Sequence, residues 1–232
     1  MLSSAKAGAG IKGDVIPGLR SLRSLTRGYY LSSLRDSLTR ACALILYCVS
    51  MVTVSSMVID TTHLRLQPYA PEHLLALIEG VPQFEEQIGL RAADGLRDFI
   101  VSEDVSPAWL SRLRASREAD PWIHGFAVVD RDSRSVIGNA SFTGPPDEEG
   151  MVEIAYGIVP SYQGRGYATE AAAALVAFAF GNDRVRLVRA HTLSEANAST
   201  RVLAKCGFER VAEIADSEDG PVWRWELTRE PA

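Results

Sequence analysis

The stretch with the most chemistry in it is 153–168, EIAYGIVPSYQGRGYA. Alternating side chains predict a strand over 151–159, which Pro160 closes. Gly164 and Gly166 then lead into an Ala-rich helix predicted over 166–180. Such a junction can bind an anion. The first-turn N–H groups of a helix lack intrahelical partners, the dipole concentrates positive charge there, and glycines let a ligand approach the backbone. A pyrophosphate has the right size and charge, although a tight structural turn with no ligand would use the same residues. The mononucleotide pattern G-x-x-x-x-G-K-[ST] is absent, as is the dinucleotide pattern G-x-G-x-x-G with its following acid.

The elements that must position this junction read clearly from residue 58 onward. A strand is predicted over 58–67, a helix begins at Pro71, and further helices are predicted over 82–102 and 106–117. Strands at 122–129 and 135–142 flank a polar turn at 130–133, and 145–150 is a polar loop. After the Ala-rich helix come a strand over 185–192 and a helix over 196–206 ended by Gly207. Strands at 208–214 and 222–227 pair across 216–220. This order predicts an α/β (mixed α+β) domain, a mixed sheet with helices on both faces.

The chain of 232 residues suits one domain, 57–232, with an appendage, 1–56. Its formal charge of -5 conceals an asymmetry: the appendage has seven Lys/Arg against two Asp/Glu, leaving the domain at -10. An acidic domain repels phosphate chains, so no nucleic-acid partner is expected. It could draw in cationic amines, or the charge could serve solubility alone. Cys42, Cys48 and Cys206 form neither a disulfide framework nor a zinc site, and the four histidines are scattered, so no metal is expected. Residues 41–59 carry no charge, but Ser50, Thr53, Ser55 and Ser56 dilute the run. The appendage is therefore read as a disordered or spurious extension, a cleaved targeting peptide or an anchor. A cytoplasmic location is expected, with anchoring through 41–59 left open.

Two motifs add a family resemblance. Gln163-Gly164-Arg165-Gly166-Tyr167-Ala168 resembles the Q/R-x-x-G-x-G/A motif of the GNAT N-acetyltransferases, whose turn amides bind the coenzyme A pyrophosphate. Residues 197–208, NASTRVLAKCGF, resemble the N-x-S-x-R-V-L-x-K-x-G-F segment of the branch that holds ribosomal-protein N-terminal acetyltransferases. The resemblance covers roughly 57–230. It implies a twisted, mostly antiparallel sheet of about seven strands, with a splayed central pair that admits pantetheine. It also implies acetyl-CoA as co-substrate.

The resemblance assigns roles to single residues. Gln163, Gly164, Arg165, Gly166, Tyr167 and Ala168 form the pyrophosphate turn, and the backbone of Ile158 and Val159 hydrogen-bonds pantetheine as an added strand does. Asn197 and Ser199 lie in the second motif; Asn197 either contacts the coenzyme or caps its helix. Glu153 shares a pleat with Ala155 and Gly157 and is the expected base, with a solvent-facing or substrate-orienting carboxylate as the alternative. Many relatives carry a thiolate-protonating Tyr where this chain has Leu203, so Ser199, Tyr156 or a water must serve instead. Cys206, His191, Trp109 and Trp122 are read as structural.

The expected function is transfer of an acetyl group to a primary amine by direct attack in a ternary complex. A non-catalytic coenzyme-A-binding module and a transferase for a longer acyl-CoA are the alternatives. A protein N-terminus or a small amine would be the acceptor, and a homodimer is left open.

Overall fold

The structure, a computed structural model, describes residues 57–101, 105–216 and 220–229, so the 1–56 appendage lies outside the described residues. Among the described residues no helix is long and apolar enough to cross a membrane. The first expected strand is two. β1 (Ile59–Asp60) and β2 (Leu64–Pro68) form a hairpin with Ile59 opposite Leu66. The chain turns between them because the amide of Thr61 donates to Leu64 O.

Two helices follow, α1 (Pro71–Glu79) and α2 (Val81–Ile88). The single helix expected over 82–102 is interrupted. Gly89 ends α2 at φ 71°, a short strand β3 (Arg91–Ala92) follows, and Gly95 at φ 77° opens α3 (Leu96–Ile100). Helix α4 (Pro107–Ala115) is capped by Ser106. The strand expected from residue 122 also starts late. Asp120 Oδ1 accepts from the Trp122 amide and Pro121 suits a first turn, so a short helix, α5 (Pro121–His124), forms instead.

The strands β4 (Phe126–Asp130), β5 (Ser135–Phe142) and β6 (Met151–Ile158) form an antiparallel meander. Helix α6 (Tyr167–Phe180), β7 (Leu187–Leu193), α7 (Ala198–Lys205), β8 (Glu209–Asp216) and β9 (Gly220–Thr228) complete the domain. The sheet order is β1-β2-β4-β5-β6-β7-β9-β8, with β3 on β5. Without the two-residue strands β1 and β3, the seven expected remain. The sheet is mostly antiparallel; β3–β5 and β6–β7 are parallel.

Helix α6 covers one face. Its Phe178 meets Phe126, Phe142 and Trp122 with ring centroids 5.2–5.8 Å apart. Full burial of side chains of this size stabilises by about 1.5–3 kcal/mol each, so this cluster anchors the helix. On the opposite face Phe99 of α3 lies against Gly157, where a Cβ would stand 2.7 Å from the ring. Gly157 is what allows α3 to approach the sheet there.

Glu170, in the first turn of α6, ties that helix to the first hairpin. Its Oε1 accepts from Thr61 Oγ1 at 2.6 Å, His63 N at 2.7 Å and Leu64 N at 3.2 Å, and Oε2 lies 2.9 Å from His63 Nδ1. Burial pushes its pKa up, but the Thr61 and His63 hydrogen bonds outweigh that and hold the carboxyl below its ordinary range. A group depressed in the folded state stabilises above its unfolded value and loses that contribution as pH falls through its folded value. Glu170→Gln should therefore cost about 1–2 kcal/mol at neutral pH. Urea titrations from neutral pH down should show the gap to wild type closing in acid.

Candidate functional site

The site begins where β6 and β7 part. They pair only over Met151–Glu153 against Leu187–Arg189, yet β6 continues to Ile158 and β7 to Leu193. Glu153 is the last paired residue, at the apex of the divergence. Thr143 N donates to Glu153 O and Val159 N to Ile137 O, so the odd-numbered residues of β6 bond to β5. By alternation the backbone groups of Tyr156 and Ile158 face the diverging side. Ile158 O accepts from Gln163 Nε2 at 2.8 Å. Both backbone groups of Val159 are engaged, its amide with Ile137 and its carbonyl with Tyr162 N. Of the two residues expected to meet pantetheine, the structure turns Ile158 towards the divergence and keeps Val159 in the protein's own hydrogen bonding.

At the end of β6 a single 3₁₀ turn, Pro160–Tyr162, carries the chain to α6. Gly164 and Gly166 both have left-handed backbones, at φ 77° and 87°, with open space where a Cβ would stand. The glycines are thus required by conformation rather than by crowding. Gly166 is the N-cap of α6, and no side chain caps this 14-residue helix. The turn is held from behind: Tyr167 Oη donates to Asp130 Oδ1 at 3.3 Å, and Tyr162 Oη to Ser133 Oγ at 3.4 Å. Arg165 lies over the Tyr162 ring at 5.0 Å and donates to Ser161 O, so it covers the turn. Gln163, Gly164, Arg165 and Gly166 are exposed, and Tyr167 and Ala168 are half-buried.

Glu153 does not stand by itself. Its Oε1 is 2.9 Å from His191 Nδ1, and the two side chains are 14% and 7% exposed. With Nδ1 protonated, the imidazole donates to the carboxylate and fixes its direction. His191 Nε2 is buried and has no partner among the described residues. Sequence reasoning read His191, near a strand end, as structural; its closeness to Glu153 depends on the parallel register of β6 and β7. Glu153 pairs with Arg189, and His191 is the next residue along β7 on that face.

Two hydroxyls lie on the other face. Tyr156 Oη and Ser199 Oγ are both buried without a hydrogen-bond partner among the described residues. Burial pushes the Tyr156 phenol far above its ordinary range, and nearby Cys206 adds to this, so the group keeps its proton. Leu203, on the same helix as Ser199, is fully buried. Cys206 donates weakly to Thr169 O at 3.7 Å, and burial raises its thiol, as suits a structural cysteine. Trp122 belongs to the aromatic cluster described above, and Trp109 packs against the core.

Asn197 is a helix cap. Its Oδ1 accepts from Ser199 N at 2.9 Å and Thr200 N at 3.1 Å, its Nδ2 donates to Glu195 O, and its own amide donates to Thr200 Oγ1. The two helices that flank the divergence thus differ at their starts: α7 is capped by a side chain and α6 is not.

The family described as acetyltransferase (GNAT) domain matches residues 63–209. An uncharacterized N-acetyltransferase of Bacillus subtilis, YjdG, is 34% identical over 99 residues, 43% of this chain and 56% of that protein. Another, p20 of Bacillus licheniformis, is 26% identical over 40% of this chain and 52% of its own length. The chain thus spans about half the length of the curated relatives it matches. Among solved structures, ribosomal-protein-S5-alanine acetyltransferase from Vibrio fischeri superposes with a TM-score of 0.53, at 15% identity, over 75% of this chain and 98% of that one. The ribosomal L7/L12 α-N-protein acetyltransferase RimL, solved with coenzyme A, gives 0.51 at 16% identity, over 74% and 97%. These likenesses show the fold.

The capping geometry sets one expectation. Asn197→Ala should lower stability by about 1 kcal/mol, and Asn197→Asp should retain most of it. Urea unfolding of the two variants checks both.

Proposed function

The chain belongs to the acetyltransferase (GNAT) domain family, and from that premise we propose that it moves an acetyl group from acetyl-CoA to a primary amine by direct attack in a ternary complex. One observation carries this reading: an uncapped helix start with two left-handed glycines lies directly beside two strands that part at a buried carboxylate. The residues present fit coenzyme A. The amides at the start of α6 suit a pyrophosphate, the diverging side of β6 offers backbone groups of Tyr156 and Ile158, and the buried hydroxyls of Tyr156 and Ser199 have no partner among the described residues.

When bound, acetyl-CoA supplies the activated thioester carbonyl. The chain's own residues supply the rest. Glu153 takes the proton that the amine gives up, at a carboxylate oxygen held by His191 Nδ1. His191 is a positioning residue in this scheme. Tyr156, kept neutral by burial, or Ser199 returns a proton to the departing sulfur. Phe99 and α3 shield the Glu153 face near Gly157, which limits water there.

Calorimetric titration of the full chain with acetyl-CoA tests the premise. Wild type should bind in the micromolar range, and Gly164→Val/Gly166→Val should lose about tenfold or more in affinity. Thiol release with a panel of peptides, polyamines and small amines tests turnover. Glu153→Gln should lower kcat/KM about a hundredfold while leaving acetyl-CoA affinity unchanged. An unchanged rate across pH in that variant would remove Glu153 as the base. Binding without thiol release from any amine would instead indicate a coenzyme-A-binding module, and competition among acyl-CoA lengths would expose a preference for a longer chain.

A further inference from the structure

The sheet face that carries Glu153 continues across β7 and β9, and its charged groups are not equally well matched. Partners directly across a ladder share a face. The register puts Glu153 beside Arg189, Arg189 beside Glu226, and His191 beside Arg224. Most of these groups satisfy one another. Glu226 Oε1 accepts from Arg189 Nε at 3.0 Å and Nη2 at 2.8 Å, and Glu153 is held by His191. Arg224 is left over. Its Nε is shielded from solvent and makes no hydrogen bond; its ionic contact with Glu226 Oε1 is 3.4 Å long, to an oxygen that Arg189 already loads. Its neighbour on β8 is Ala212, which adds no charge. The side chain is only 34% exposed. A guanidinium covered to this extent loses hydration, and its planar fork is shaped for a carboxylate.

We propose that Arg224 receives a carboxylate carried by the acceptor, which makes the acceptor an amine with an acidic group a few bonds away. Resting on the transferase reading above, this narrows the acceptor to an amino acid or an acidic peptide end. It excludes a polyamine, whose second cation would meet Arg224. Strands β6, β7 and β9 are successive neighbours about 4.8 Å apart and Arg224 lies two residues further along the ladder than Glu153, so the two backbones stand about 12 Å apart. A molecule of amino-acid size bridges their side chains. Its amine meets Glu153 and its carboxylate meets Arg224, which fixes the nitrogen that reacts.

The test is thiol release by the full chain with paired amines that differ only in a carboxylate: glycine, β-alanine, 4-aminobutyrate and 5-aminovalerate, each beside its amide. A dipeptide amide with glutamate or glutamine in second place separates a peptide end from a free amino acid. For at least one pair, wild type should favour the carboxylate by about tenfold or more in kcat/KM. Arg224→Met should reduce that ratio to near one, and Arg224→Lys should fall between. The lysine variant also serves if the methionine variant fails to fold. A wild type indifferent to the carboxylate at every length, or an Arg224→Met enzyme that keeps the preference, would overturn the proposal alone. No thiol release from any amine, with acetyl-CoA still bound, would overturn the transferase reading and the proposal with it.

Discussion

The parting of β6 and β7 after Glu153 is the constraint on which the rest of the domain depends. Parallel strands normally continue pairing until one ends, because an unpaired backbone amide or carbonyl inside a protein is costly. Here β6 runs five residues past its last partner on β7. The protein compensates for part of that break itself: the Gln163 side chain takes the Ile158 carbonyl, and Val159 turns back to β5 and Tyr162. What remains unpaired on the diverging side is a strip of backbone bounded by the start of α6 at one end and Glu153 at the other. A ligand that supplies amides along that strip completes the sheet as an added strand does, and its charged end reaches the helix start.

The contrast between the two helix starts follows from the same logic. An orphaned first turn is usually satisfied by a side chain, as Asn197 and Thr200 satisfy α7 through reciprocal hydrogen bonds. At α6 the chain uses glycine at the cap and at the residue two before it, both in conformations that other residues adopt only with strain. Removing the cap costs stability locally, and the supporting bonds lie elsewhere: Tyr167 to Asp130, Tyr162 to Ser133, and Glu170 to the β1–β2 turn. The turn is thus fixed in place by side chains that bond to Asp130, Ser133 and the β1–β2 turn rather than by a cap on its own first turn.

Much of this was legible in the residues. The strand closed by Pro160, the glycine pair and the Asn-to-Gly-Phe helix were readable because each depends on local conformation: proline stops a strand, glycine takes positive φ, asparagine caps. Elements governed by less local balances were not. Three consecutive polar residues, Thr61–His63, turned one apparent strand into a hairpin, and a Pro-Trp-Ile-His segment rich in strand-forming residues became a helix because Asp120 capped it. The pairing of Glu153 with His191 was out of reach for a different reason. It depends on the register of two strands 38 residues apart, and no property of either residue encodes that register.

Charge acts on this domain at two ranges. The net of -10 over residues 57–232 sets a field that draws cations from a distance, yet salt screens it within about 8–10 Å. Within that distance the individual groups decide: on the Glu153 face Glu153 is held by His191 and Glu226 by Arg189, while Arg224 has only a 3.4 Å ionic contact with Glu226. An acidic surface and a basic receiving group are therefore not in conflict. The surface governs the approach of a molecule that bears an ammonium group, and Arg224 governs which end of it turns inward. A molecule with both signs of charge satisfies both ranges, whereas a purely cationic one satisfies only the outer.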